Sequence, residues 1–198
     1  MRDRVSTWLL AIVAVCAVHP PRAWGQVGDD SGIELFSSVG AGPMWDDESL
    51  LGIGGVLGAG VGYRVRRLGV EIVADRRWHD RSFASNVRFT AEATRVTGRI
   101  LYMFPGGGAR PYVGGAAGWA QVHRTSEYPD DCAFGPGGQF RCQGTERFRS
   151  THRPRALAAV AGLRVPVAHG FFLRPELELG LAGEFVTIGG TVAAGWRW

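Results

Sequence analysis

From Leu51 to Tyr63 the chain alternates with a period of two. Leu51, Ile53, Leu57, Ala59, Val61 and Tyr63 fall on one side, and Gly52, Gly54, Gly58, Gly60 and Gly62 on the other. Successive side chains of a β-strand point to opposite faces, whereas a helix repeats every ~3.6 residues. The run therefore predicts a strand with one apolar face and one nearly bare face.

Seven more segments follow the same rule. Ile33 to Ala41 sets Ile33, Leu35, Val39 and Ala41 against Glu34, Phe36, Ser38 and Gly40. Leu68 to Trp78 sets Leu68, Val70, Ile72, Ala74 and Trp78 against Gly69, Glu71, Val73, Asp75 and Arg77. Val96, Ile100, Tyr102 and Phe104 oppose Arg95, Thr97 and Arg99. Arg110 to Val122 is weakly phased and its faces stay open. In Arg155 to Val165, Leu157, Ala159, Ala161, Leu163 and Val165 oppose Ala158, Val160, Gly162 and Arg164. In Phe171 to Leu181, Phe171, Leu173, Leu177, Leu179 and Leu181 oppose Arg174, Glu176, Glu178 and Gly180. The last segment, Gly189 to Trp198, puts Val192, Ala194, Trp196 and Trp198 opposite Thr191, Ala193, Gly195 and Arg197.

These lengths suit the ~9–11 residues that a tilted strand needs to cross a bilayer. The connections alternate in length too. Arg64 to Arg67, Pro105 to Ala109 and Pro166 to Gly170 are tight, whereas Pro43 to Leu50, His79 to about Thr94, and Arg124 to Ser150 are longer. Short periplasmic turns with longer external loops are the pattern of outer-membrane barrels. The final connection, Ala182 to Ile188, is the exception, being scarcely longer than a turn.

The N-terminus is consistent with export. Arg2 and Arg4 precede an apolar run from Thr7 to Val18, and Ala23-Trp24-Gly25 offers small residues where a signal peptidase reads. Residues 1–25 are expected to be a signal peptide, with the mature barrel domain spanning 26–198 from Gln26. A lipoprotein start at Cys16 fails because Val15 stands where a small residue is needed. The mature chain has no stretch resembling a spanning helix, so a membrane form must be a barrel.

All 22 basic residues are arginine, scattered along the chain. The formal charge of +4 drops to +2 once Arg2, Arg4 and Arg22 leave with Asp3, which gives no electrostatic case for nucleic acid. Cys132 and Cys142 lie in a polar Gly/Pro-rich stretch, and export through an oxidising periplasm makes a disulfide the expectation. It would contribute roughly 2.5–3 kcal/mol by the loop-entropy argument. A Cys/His metal site with His123 or His152 matches no common zinc spacing, so no metal is expected.

Arg99-Ile100-Leu101-Tyr102-Met103-Phe104-Pro105, followed by Arg110-Pro111-Tyr112-Val113-Gly114-Gly115, resembles the fourth and fifth strands of small OmpA-like barrels. Arg174-Pro175-Glu176-Leu177 and the terminal Gly195-Trp196-Arg197-Trp198 resemble the same family, here an eight-stranded barrel of OmpA/OmpW type. The resemblance covers the mature chain and implies an all-β, antiparallel, up-and-down transmembrane fold in the bacterial outer membrane. It also implies that Trp196 and Trp198 belong to the C-terminal signal read by the assembly machinery. No cell-wall-binding domain of the two-domain OmpA type is expected after the barrel. Pro175 lacks a ladder N–H, so a bulge is expected there.

Glu34, Glu71, Asp75, Arg77, Arg95, Arg99, Arg155, Arg164, Arg174, Glu176, Glu178 and Arg197 are assigned to the lumen. An eight-stranded barrel has just enough room for side chains to fill it, and buried charges must pair. The favoured reading is a structural plug; a gated path for ions or small solutes is the alternative. Ser150 and His152 with nearby Glu146 resemble the set used by barrel-type lipid A deacylases, but the order Ser-x-His and the flanking sequence do not match. His79, His123 and His169 are expected in solvent, and Gly106-Gly107-Gly108 is a turn without a phosphate-binding helix. Trp78, Tyr102, Phe104, Tyr112, Phe171, Trp196 and Trp198 are expected as interface girdles.

The chain thus reads as a non-enzymatic, monomeric outer-membrane barrel without cofactor. Its expected partners are lipid, lipopolysaccharide and the assembly machinery, with loop 124–150 open to an extracellular partner. A soluble lipocalin-like barrel, apolar inside and charged outside, is the architectural rival.

Overall fold

The computed structural model describes residues 31–46, 50–82, 87–105, 108–130, 132–134, 140–142 and 144–198. The expected leader, 1–25, and the mature start at Gln26 lie outside the described residues. The strands are β1 (Gly32–Trp45), β2 (Leu50–Val65), β3 (Leu68–Ser82), β4 (Arg88–Met103), β5 (Arg110–Pro129), β6 (Cys132–Phe134), β7 (Phe140–Cys142), β8 (Thr145–His152), β9 (Arg155–Ala168), β10 (Phe171–Ala182) and β11 (Phe185–Arg197). Each long strand pairs antiparallel with its chain neighbour, and β1 pairs with β11, which closes the sheet. β8 and β9 are two lengths of one stave, interrupted at Arg153-Pro154, and both pair with β5. The barrel therefore has eight staves.

Register fixes its girth. The partners run from Glu34 through Gly62, Glu71, Arg99, Ala116, Ala158, Gly180 and Thr187 to Met44. One circuit thus returns to β1 ten residues further along (44 − 34), a shear of ten. With ordinary strand rise and spacing, eight strands at this shear tilt by about 41° and enclose a backbone radius of about 8 Å.

The predicted alternation survives closure. Ile33, Ile53, Ile72, Ile100, Leu157 and Leu177 face outward and are exposed, while Glu34, Glu71, Arg99, Arg164 and Glu176 are buried inside. An apolar belt of this extent, with Leu177 at 68% and Ile100 at 65% exposure, is far larger than the patches that water-soluble monomers carry. The lipocalin-like rival, which requires the opposite faces, is excluded.

Several expectations are corrected. The staves are longer than predicted at the end carrying the long connections, called here the outer end. The stretches around residue 80, around residue 90 and on both sides of residue 130 are strand rather than loop. The last connection shrinks to Gly183-Glu184 between β10 and β11. Leu51 is buried rather than lipid-facing. Gly52 has φ +102°, which a side chain would strain, and the β1–β2 register shifts between Met44 and Trp45. That irregularity reverses the inward and outward sides on which the sequence reading relied. At Pro175 no extra residue is inserted: register resumes unshifted at Glu176↔Gly162, with the Arg174 and Pro175 bridges to β9 missing. The register shift falls instead at Phe171/Phe172.

Candidate functional site: the barrel lumen and outer rim

Eleven charged side chains from six staves converge at the centre and inner end of the lumen. Glu178 of β10 is the hub. It accepts hydrogen bonds from Arg77 (2.6 Å), from Arg95 through two nitrogens (2.7 and 2.9 Å) and from Arg99 (3.0 Å). Asp75 accepts from Arg77 Nε at 2.9 Å and from Arg95 at 2.7 and 2.9 Å. Glu176 accepts from Arg99 at 2.8 Å and from the Tyr112 hydroxyl at 2.7 Å. Arg174 donates to Glu71, and its guanidinium lies 4.2 Å from the Phe36 ring centroid. Four arginines thus meet four carboxylates: Arg77, Arg95, Arg99 and Arg174 against Glu71, Asp75, Glu176 and Glu178. The cluster is neutral, and a void of about 10 Å³ amid it has room for about one water.

Toward the inner end, Glu34 is shared by two arginines in a smaller set. Its two oxygens meet Arg64 at 3.0 Å and Arg164 at 2.9 Å, and Arg164 stacks 4.2 Å from the Phe172 centroid. Toward the outer end the lumen lining turns apolar. Met44, Leu51, Ala91, Ala93, Ala120, Val122, Ala156 and Phe185 pack into one buried layer. Beside it His79 is buried and donates from Nε2 to the Gly42 carbonyl at 3.1 Å.

Ten of the twelve predicted lumen residues are fully buried. Arg197 is half-buried at the end of β11, on the inward side of the alternation. Arg155 is the correction: it is exposed, and it shares the outward parity of Leu157 and stands opposite Trp119 of β5. Three inward polar groups were missed. The sequence pattern puts Arg64 in a turn, His79 in solvent and Tyr112 in a girdle; all three are buried. The signal for Arg64 was available, since it continues the parity of Gly58, Gly60 and Gly62. Trp78, Tyr102, Phe104 and Trp198 are exposed as girdle residues should be, and Phe171 and Trp196 are half-buried. Trp119, at 72% exposure, joins them.

Above the apolar layer, β5 and β8 continue as a hairpin that ends in β6 and β7, where Cys132 and Cys142 are direct cross-strand partners. Phe89, Tyr128 and Phe148 form an edge-to-face aromatic row, with centroids 5.8 and 6.0 Å apart, and Arg124 lies over Phe89. Ser150 Oγ is 3.3 Å from His152 Nε2. The carboxylate beside His152 is Glu184, at 3.9 Å from Nδ1, and not Glu146, which stands opposite Tyr128 further out. That separation exceeds a hydrogen bond. His123 and His169 are exposed, as expected. Among the described residues no group of His, Cys, Asp and Glu could hold a metal ion.

No protein-family model matches the chain, and no curated protein matches it. Solved structures do. Neisserial surface protein A is 15% identical, with a TM-score of 0.55 over 83% of this chain and 95% of that one. Ail, the attachment invasion locus protein of Yersinia pestis, solved with the heparin analogue sucrose octasulfate, is 15% identical, with a TM-score of 0.56 over 84% and 99%. The fold is that of small bacterial outer-membrane barrels, and the apolar belt makes this chain a membrane-spanning one of that type.

Proposed function

We propose that the chain is a closed outer-membrane barrel with a structural or surface-interaction role, which holds the β5–β8 hairpin outside the cell. One observation carries this reading: a neutral lattice of four arginines and four carboxylates lies beneath a continuous apolar layer. An ion would have to break charge-assisted bonds and then cross a stretch lined mainly by apolar side chains, each step costly in a low-dielectric space. Lipid and lipopolysaccharide surround the belt, and Trp196 and Trp198 address the assembly machinery. No cofactor takes part, and the barrel acts as a monomer. Binding of a sulfated sugar analogue by Ail, a protein of the same fold, supports an outward-facing role.

The hairpin tip is proposed to be stapled by a Cys132–Cys142 disulfide. Direct cross-strand partners have Cα atoms about 4.5–5.5 Å apart, inside the range a disulfide spans. The deciding experiment is single-channel recording of the refolded mature chain in planar bilayers. Silence is expected. Steady, reproducible steps would make the protein a narrow channel or carrier and end the closed-barrel reading.

A further inference from the structure

One edge of the extended hairpin, that of β8, stands open. β8 pairs only with β5, so it terminates its sheet. On its other side the wall has already ended: the last β9–β10 pair is Ala156↔Ala182, after which β10 turns at Gly183-Glu184 into β11. All eight β8 side chains are exposed. About 26 Å of ladder-competent backbone therefore stands above the rim with no strand, among the described residues, on the side away from β5.

We infer that β8 is a docking edge for an extended polypeptide strand in which acidic and apolar side chains alternate. The inference rests on the reading that the hairpin lies outside the membrane. An added strand satisfies the bare N–H and C=O groups, and its side chains meet those of β8 on both faces. On one face stand Arg147 and Arg149. Arg147 bridges Glu127 at 2.5 Å, but Arg149 has Thr125 opposite and no carboxylate across the ladder. Acidic residues on an incoming strand complement that face. On the other face Phe148 is 52% exposed and packs edge-to-face with the Tyr128 ring, which leaves apolar surface for the residues between the acids.

A second copy in the same membrane is the wrong occupant. β8 runs from the tip toward the bilayer in every copy, so a two-fold pair would bring parallel edges together, the less stable pairing per residue. Arginines on a bare edge also discourage uncontrolled pairing. Selectivity for an acidic strand is the other face of that protection.

The test uses the full mature chain in phosphatidylcholine nanodiscs, titrated with a fluorescent peptide of alternating Asp and Val. Saturable binding is expected. N-methylation of alternate peptide amides, which keeps the side chains but removes ladder donors, should weaken it by at least about tenfold. Arg149→Glu should weaken it by about threefold and improve binding of the Lys-for-Asp peptide. Heat-modifiable gel migration verifies that the variant is folded, and the N-methylated peptide tests the ladder without altering the protein. Absence of binding overturns the inference. So does equal binding of the N-methylated peptide, which would mark a charged surface suited to anionic glycans, and so does indifference to Arg149→Glu. Channel activity would sink the closed-barrel reading but leave this titration unaffected.

Discussion

Glu178 shows how much one side chain can hold. It accepts from three arginines that lie on two other staves, more than 75 residues away in sequence. Removing one partner of a buried pair leaves the other charge unmatched, at a cost of about 3–5 kcal/mol. Glu178→Ala is expected to lower stability by that amount in urea titrations of the lipid-reconstituted barrel, whereas Arg155→Ala, on the exposed outer rim, should change it by less than about 0.5 kcal/mol. Equal effects would mean that the inward and outward assignments are wrong. Ser150 offers a second check at this scale. With His152 half-exposed and Glu184 beyond bonding distance, a fluorophosphonate probe should leave Ser150 unlabelled; covalent labelling lost in Ser150→Ala would reopen an enzymatic role. Most of the lumen was legible in the sequence because parity alone assigns a face. Arg155 is the exception: it shares the outward parity of Leu157, and at the first position of β9 its guanidinium stands exposed. Tyr112 was missed because an aromatic near a strand end fits a girdle as readily as a buried hydrogen bond to Glu176.

Among the elements, β2 and β5 mark where a two-residue period stops being enough. β2 carries the cleanest alternation, yet its first turn is inverted by Gly52, whose φ of +102° places a would-be Cβ 2.9 Å from the Asp80 carbonyl. Gly52→Val is expected to destabilise the barrel by about 1–3 kcal/mol, as strain at a left-handed position does; a neutral result in the same urea titration would remove Gly52 as the cause of the inversion. β5 resisted phasing because Gly114, Gly115, Ala116, Ala117 and Gly118 give neither face a clear polarity. Its faces emerge only from the neighbours, with Ala116 and Ala120 inward and Val113 and Trp119 outward. The outer end of β5 and the whole of β8 read as loop because polar residues stand on both sides, as strands in water are free to have. At the hairpin tip, intact-mass measurement of unreduced chain is expected to show both thiols consumed. A mass unchanged by reduction would remove the staple between Cys132 and Cys142.

For the whole molecule, the solvent on the outside is hydrocarbon, and substitutions should respond to depth. Leu177→Arg, in the belt, is expected to cost about 2–4 kcal/mol of folding stability in lipid, while a charge near the rim costs about 0–1; insensitivity to position would argue against a spanning belt. The cluster also ties the two halves of the sequence together. β3 and β4 bring three arginines and two carboxylates to it, and β10 brings one arginine and two carboxylates. A chain that has not yet joined β10 to the rest therefore carries one positive charge too many on one part and one negative charge too many on the other. Neither part is a comfortable guest in a bilayer by itself. Closure is the event that cancels both within the cluster of eight, so a barrel that has not formed its β10 seam carries that imbalance in its own wall.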